Sequence, residues 1–386
     1  MKNIFSFLVL FFSLFSFSQT KIEWAAIDSK ISKIPNNLSN STDAIADYIA
    51  SNFKTDSEKI RAAFYWTASN ISYDVPNMLA PNHNKSSREK IEKTLKTKKG
   101  VCIHYAEVFN EIANKMGINC RIIEGYTKQD GKIATLAHAW CAAKIDHRWY
   151  LFDPTWGSGY VNNGKFFKKI NDFYFKVEPN KIIASHMPFD YLWQFLNYPI
   201  TNKEFYEGKT QLNNSKKYFD FDKEITIYDS LSEVDKAFES SERMEKNGLV
   251  NNLVIERYKN KKEEFTIYTQ NKNIEKLNDL YLNYNETIIF LNDFIMYRFK
   301  KLKPAQSDEE MKNMIQNVKN KLKKCETDAY NIGIVGSENI GSLSNLKKSI
   351  AVALRQTEEQ EDFLNEYLGK SSLGRKIMLS NFRKRD

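Results

Sequence analysis

Cys102 follows Gly100 and Val101 and opens an amphipathic stretch. A thiol placed there could act as a nucleophile. The start of a helix carries roughly half a positive charge, which favours a thiolate and lowers a cysteine's pKa. Free N–H groups of that first turn could also hold an oxyanion. The plain alternative is a small apolar residue filling a core stripe, and for a lone buried cysteine that alternative normally wins. The company of Cys102 tips the balance. His138 begins one β-rich run, His138-Ala-Trp140, and Asp153 closes the next, Trp149-Tyr-Leu-Phe-Asp153. A thiol facing an imidazole that a carboxylate orients is a nucleophile–base–orienter arrangement. His138 would take the thiol proton and later protonate a leaving amine. Asp153 would fix its tautomer and stabilise the imidazolium.

The other reactive side chains read as structural. His104 lies two residues beyond Cys102 on the same helix, so the two side chains diverge and His104 reads as a rim residue. His147 reads as a turn residue. His186 could line the cleft, with a structural role preferred. Glu107 and Glu111 fall away from the apolar stripe and read as solvated charges. Trp140, Trp149 and Trp156 read as core and cleft wall. Cys120 and Cys141 fall on neighbouring strands, as two thiols or as a disulfide, and strand register decides which. The chain has no Cys-x-x-Cys, no His-x-x-x-His and no acidic calcium cluster, so no metal site is expected. Gly159 to Lys165 imitates a phosphate loop, but Phe166 stands where Ser or Thr belongs and no strand–turn–helix pattern frames it.

The elements that must position the three residues are legible. The stretch from Cys102 to Met116, bounded by Gly100 and Gly117, carries Tyr105, Phe109, Ile112, Ala113 and Met116 as one apolar stripe. Ile27–Phe53 and Glu58–Ile71 also read as helical. Strand-like runs follow at Cys120–Tyr126, Ala137–Ile145 and Trp149–Asp153. A tight turn at Asp146-His147-Arg148 joins the last two and brings His138 and Asp153 close together. Helices followed by an antiparallel sheet make an α+β order.

Taken together, Gly-Val-Cys102, His138-Ala-Trp140 and Trp149-Tyr-Leu-Phe-Asp153-Pro-Thr-Trp-Gly157 resemble the transglutaminase-like superfamily. They are most similar to the branch of the kyphoscoliosis peptidase and the cytokinesis-associated transglutaminase-like proteins. Trp66-Thr-Ala-Ser-Asn-Ile-Ser-Tyr73-Asp74, Gly125-Tyr126 and the run from His186 to Gln194 fit as well, so the resemblance spans about 55–200. Cys141 departs from the Asn usual after His-Ala-Trp, and His147 stands in a turn that is usually Asp-Gly. The resemblance implies a papain-like core of N-terminal helices plus antiparallel sheet. It implies acyl chemistry on amide bonds of proteins or peptides (peptidase, deamidase or crosslinker) with no metal or cofactor. It points to Cys102, His138 and Asp153 as the triad and to Trp66, Trp140 and Trp156 as oxyanion or cleft candidates. A catalytically idle scaffold that keeps this fold is the alternative.

Composition divides the chain near residue 200. All six Trp, all five His and seven of the eight Pro precede it. Beyond it, Asp229–Lys246, Asn273–Lys301 and Ser344–Leu368 have helical spacing, Pro304 ends one helix, and Ser307-Asp-Glu-Glu310 looks like a capping box. The expected organisation is 1–18 signal peptide, 19–200 catalytic-type domain and 201–386 an all-α domain of unknown role. Lys2, the apolar run Ile4–Phe17 and the small residues before Gln19 read as an export signal too short to span a bilayer. A periplasmic or secreted protein without an integral membrane segment is expected. The net charge of +9 comes from scattered lysines with no aromatic-plus-Arg pattern, so nucleic acid is not an expected partner. A protein or peptide substrate is.

Overall fold

The computed structural model describes residues 24–79 and 85–380. The expected export signal at 1–18 lies outside the described residues. Among those described, no helix is long and apolar enough to cross a membrane.

Helices come first: α1 (24–31), α2 (Thr42–Asn52), α3 (Asp56–Asn70), α4 (Ser87–Thr97) and α5 (Cys102–Lys115). Local sequence sets several of their starts. Ser41, Thr55 and Ser86 each accept a first-turn N–H, and Glu58 and Glu89 complete capping boxes for α3 and α4. A short parallel pair, β1 (Ser72–Tyr73) with β2 (Lys99–Gly100), sets Tyr73 opposite Gly100. The chain therefore enters α5 from a fixed extended segment, and Cys102 is its first helical residue. The stripe on α5 is buried as expected, with Tyr105, Phe109, Ile112 and Ala113 fully enclosed by α2, α3 and the sheet.

The sheet consists of β3 (Cys120–Gln129), β4 (Lys132–Ile133), β5 (His138–Ile145) and β6 (Arg148–Phe152) in the order β4-β3-β5-β6. A separate hairpin follows, β7 (Gly159–Asn162) with β8 (Lys165–Lys168), so the segment that imitates a phosphate loop is a β-turn with no helix behind it. After the single turn α6 (Pro179–Ile182), β9 (His186–Pro188) returns and pairs with β3. Residues Asp146 and His147 link β5 to β6 with φ of 50° and 64°. Positive φ at both positions is the two-residue type I′ pattern that suits the strand twist. Gly125 on β3 is flanked by His138 of β5 on one side and Pro188 of β9 on the other. A Cβ there would lie 2.1 Å from the Met187 carbonyl and 2.5 Å from the Trp140 ring. Only glycine lets the three strands close up.

Composition and contacts divide the chain at different places. One compact unit holds the described residues up to Ser232 together with Lys236–Lys261. Helices α7 (Asn202–Glu207), α8 (Phe221–Ser230) and most of α9 (Glu233–Asn247) therefore belong with the sheet. Arg243 of α9 grips the buried Asp190 with two 2.8 Å bonds. Tyr126 donates to Asn202 at 2.8 Å, and Phe205, Met244 and Val254 join Tyr126 and Met187 in one cluster. The second unit is all-helical: the part of α10 (Asn252–Phe299) from Lys262 onward, α11 (Asp308–Asn331), α12 (Ser337–Leu368) and α13 (Ser372–Ser380). The Ser307–Glu310 capping box opens α11 as its sequence promised. Leu291, Phe294, Met311, Ile315, Val318 and Leu364 are among the side chains of its core.

Candidate active site

Each of the three expected residues sits at the end of an element. Cys102 is the first residue of α5, His138 the first of β5, and Asp153 follows the last residue of β6. Cys141 pairs with Phe152, so one further step sets Asp153 opposite Trp140, two residues from His138 on the same strand face. The His138 Nε2 lies 2.7 Å from Asp153 Oδ2. That leaves Nδ1 on the side away from Asp153, and Cys102 stands within electrostatic reach of the imidazole. Cys102 is half-buried, His138 is buried and Asp153 has no exposed surface.

Asp153 is satisfied from four directions. Oδ1 accepts the Thr155 N–H at 2.8 Å and the Trp156 N–H at 3.1 Å. Oδ2 accepts from His138 and also faces Nε2 of His186 at 3.1 Å. His186 is fully buried, and its Nδ1 lies 2.8 Å from the Ser185 hydroxyl. Sequence reasoning gave His186 a structural or cleft-lining role and missed that it shares the carboxylate. Its signal, a histidine on a three-residue strand, says nothing of which strand it joins. Ligand atoms of His138, Asp153 and His186 lie within 4.8 Å of one another. Both nitrogens already touch the same oxygen, one at 2.7 Å, closer than the about 3.3 Å expected between neighbouring ligands of a tetrahedral zinc. The geometry is that of shared protons.

Aromatic rings enclose this cluster. Trp140 stacks on His138 at 6.0 Å and meets His186 edge-on at 5.1 Å. Trp156 lies 5.5 Å from His138 and 4.7 Å from His186. Trp140 is only 1% exposed, so it backs the imidazoles from inside; Trp156 is half-exposed and is the ring of this group that reaches solvent. Trp66 is buried in the cluster against whose edge Cys102 packs, and its indole N–H has no acceptor among the described residues. Trp149 stacks on Phe195 in a different cluster.

Residues 43–154 match the family described as the transglutaminase-like superfamily. They form a transglutaminase-like domain. Among curated proteins, the human (Homo sapiens) kyphoscoliosis peptidase is 34% identical over 159 residues, which cover 39% of this chain and 24% of that one. Hillarin of Drosophila melanogaster is 26% identical over 171 residues, covering 39% of this chain and 20% of its own. The chain thus spans about a quarter of the length of the kyphoscoliosis peptidase. A solved structure described as a TGase is 18% identical, covers 40% of this chain and 38% of its own, and superposes with a TM-score of only 0.24.

Within the transglutaminase-like domain the three charges reinforce one another. Burial alone would push the Cys102 thiol up, but the neighbouring His138 imidazole, helped by the Ala139 backbone, brings it below its ordinary value. Burial alone would lower His138, but the Asp153 carboxylate and then Cys102 raise it to about 10. Burial opposes ionisation of Asp153, yet His138 and His186 hold it well below the usual carboxylate range. The Cys102 and His138 shifts both run in the direction of a thiolate–imidazolium pair. Tyr73, whose strand pairs with Gly100, stands within electrostatic reach of Cys102 and Asp153; burial first and then those two groups push its phenol up to about 12.

The remaining expected residues fall elsewhere. His104 is half-buried, and its Nδ1 accepts the Val101 N–H at 3.0 Å, which caps α5 rather than lining a rim. His147 is an exposed turn residue. Cys120 and Cys141 are both free thiols, and Cys141 donates to the Ala106 carbonyl at 3.4 Å, tying β5 to α5. Glu107 corrects the sequence reading. It is 4% exposed and paired with Lys90 at 2.5 Å, because α4 covers the face of α5 that looked solvated.

Proposed function

We propose that this domain performs thiol acyl chemistry on amide bonds of proteins or peptides. The Cys102 thiolate attacks a carboxamide or peptide carbonyl. The His138 imidazolium then protonates the departing amine or ammonia, and an acyl-enzyme remains. Neutral His138 next takes a proton from water or an amine and so completes hydrolysis or transfer. Asp153 keeps the proton of neutral His138 on Nε2 and offsets the charge of its imidazolium. The Cys102 N–H at the start of α5 is one oxyanion donor. Trp66, buried and without an acceptor for its indole N–H among the described residues, is the second.

One observation carries this reading: an imidazole hydrogen-bonded to a buried carboxylate at 2.7 Å and within electrostatic reach of a cysteine at a helix start, at the ends of three elements that sequence alone keeps apart. The test is mass spectrometry of peptide mixtures incubated with wild type and with Cys102→Ala. New termini mark a peptidase, loss of ammonia a deamidase, and joined peptides a crosslinker. Wild-type mixtures identical to those of Cys102→Ala would leave an idle scaffold. A location outside the cytoplasm belongs to the same reading, on the strength of residues 1–18 alone. Finding the full-length chain in the cytosolic fraction would remove that part.

A further inference from the structure

Asp153 serves two imidazoles through one oxygen, and the chemistry above uses only one of them. Oδ2 lies 2.7 Å from Nε2 of His138 and 3.1 Å from Nε2 of His186. His186 has no exposed surface, and its other nitrogen faces the Ser185 hydroxyl at 2.8 Å. The Ser185 hydroxyl can turn its one proton from the Ile182 carbonyl at 3.3 Å to the nearer Nδ1 at 2.8 Å while Nε2–H donates to Asp153, so a neutral ring satisfies both contacts at once. A protonated ring would face the His138 imidazolium 5.7 Å away, centroid to centroid, inside a box made by Trp140 and Trp156.

We propose that His186 is a positioning residue that divides the charge of Asp153 between two imidazoles, so that the carboxylate orients His138 without holding its proton too tightly. The inference rests on the reading of His138 as the base for Cys102. A buried carboxylate whose only side-chain partner is one imidazolium binds that proton strongly and makes it a poor acid for a leaving amine. A neutral N–H on the same oxygen draws off part of the charge. The direction of the His186 shift agrees: burial lowers it, the Asp153 bond and charge raise it, His138 repels it, and the net is downward. Other titratable groups that reach Asp153 add no competing charge. Tyr73 from β1, Tyr105 from α5, Tyr174 from the turn before α6 and Cys141 from β5 are all pushed up and stay neutral. Cys102, which His138 draws below its ordinary value, is the other titratable group that reaches Asp153.

The test compares wild type, His186→Phe and His186→Gln. Histidine ¹⁵N NMR follows the His138 titration, and mass spectrometry follows alkylation of Cys102 by iodoacetamide against pH. His186→Phe removes the N–H and keeps a ring. It should move the His138 titration upward and the acid limb of Cys102 alkylation downward, each by about one pH unit, the scale of one hydrogen bond to a charged group. His186→Gln, whose amide can still donate, should stay near wild type in both. Two unmoved titrations in folded His186→Phe would overturn the proposal. So would shifts in the opposite sense, which mean that His186 merely props the site. Wild-type spectra decide the matter even if that variant does not fold. A neutral His186 with its proton on Nε2 across the titration supports the proposal, and a proton on Nδ1 or a charged ring overturns it. If wild-type Cys102 alkylates no faster than Cys325, the acyl chemistry fails, while the His138 titration still decides the role of His186.

Discussion

Two of the buried charge clusters in the sheet-bearing unit are built to opposite ends. In the first, Arg61 of α3, 1% exposed, holds Asp28 with bonds of 2.8 and 2.6 Å and Asp172 with one of 2.7 Å. In the second, His138 and His186 share Asp153. Both clusters bury a cation beside a carboxylate. Burial works against the Arg61 charge, but Asp28 and Asp172 outweigh it and hold the guanidinium above its ordinary value, so that proton never leaves. The second cluster uses imidazole, whose proton can move, and sets it against a thiol. The first cluster pins α3 to α1 and to the turn before α6. The second spends its rigidity on holding one mobile proton in place. Burial of charge is therefore no guide to reactivity here; the identity of the cation is.

Removing the movable proton should produce the largest effect. Cys102→Ala is expected to abolish acyl-enzyme formation, and His138→Ala to slow it by about 10⁴-fold, with circular dichroism unchanged. Intact labelling in His138→Ala would erase the distinction between the clusters. A second consequence concerns pH. His138 is raised from its unfolded value near 6.5 to about 10. Its stabilisation is complete below the lower value and is lost as pH rises through the higher one. Denaturation curves of wild type and His138→Ala should therefore converge on the alkaline side, whereas a gap between wild type and Arg61→Met should not narrow there.

Arg61→Met should cost about 3 kcal/mol of stability, since it leaves the largely buried Asp28 unpaired. The alkylation rate of Cys102 per folded molecule should not change. Slower alkylation in that variant would mean that the two clusters are coupled. Gly125→Ala should cost about 1–3 kcal/mol by forcing β5 and β9 apart at β3, and it should also loosen the pair of imidazoles those strands carry. Glu107→Gln should be mildest, at about 1 kcal/mol in urea unfolding, through the lost charge against Lys90.

Much of this arrangement was legible from local pattern. The α5 stripe, the two strands and their tight turn placed Cys102, His138 and Asp153 because each signal lies within about fifteen residues and follows a period of 3.6 or 2. The missed parts depend on contacts remote in sequence. His186 reaches Asp153 only because β9 pairs with β3 beside Gly125. Glu107 is buried only because α4, a separate helix, packs against α5 and brings Lys90 to it. The composition change at residue 200 did not foretell that Arg243 would be drawn to Asp190, since a single Arg in a polar helix carries no sign of its partner.

Under the proposed function Cys102 rests as a thiolate paired with the His138 imidazolium. The direct measurement is ultraviolet absorbance of the thiolate against pH, as the difference between wild type and Cys102→Ala. A titration midpoint well below the about 8.5 of an ordinary thiol, returning towards that value in His138→Ala, is the expected result. A wild-type midpoint at or above the ordinary value would mean that Cys102 rests as a thiol and that His138 does not activate it.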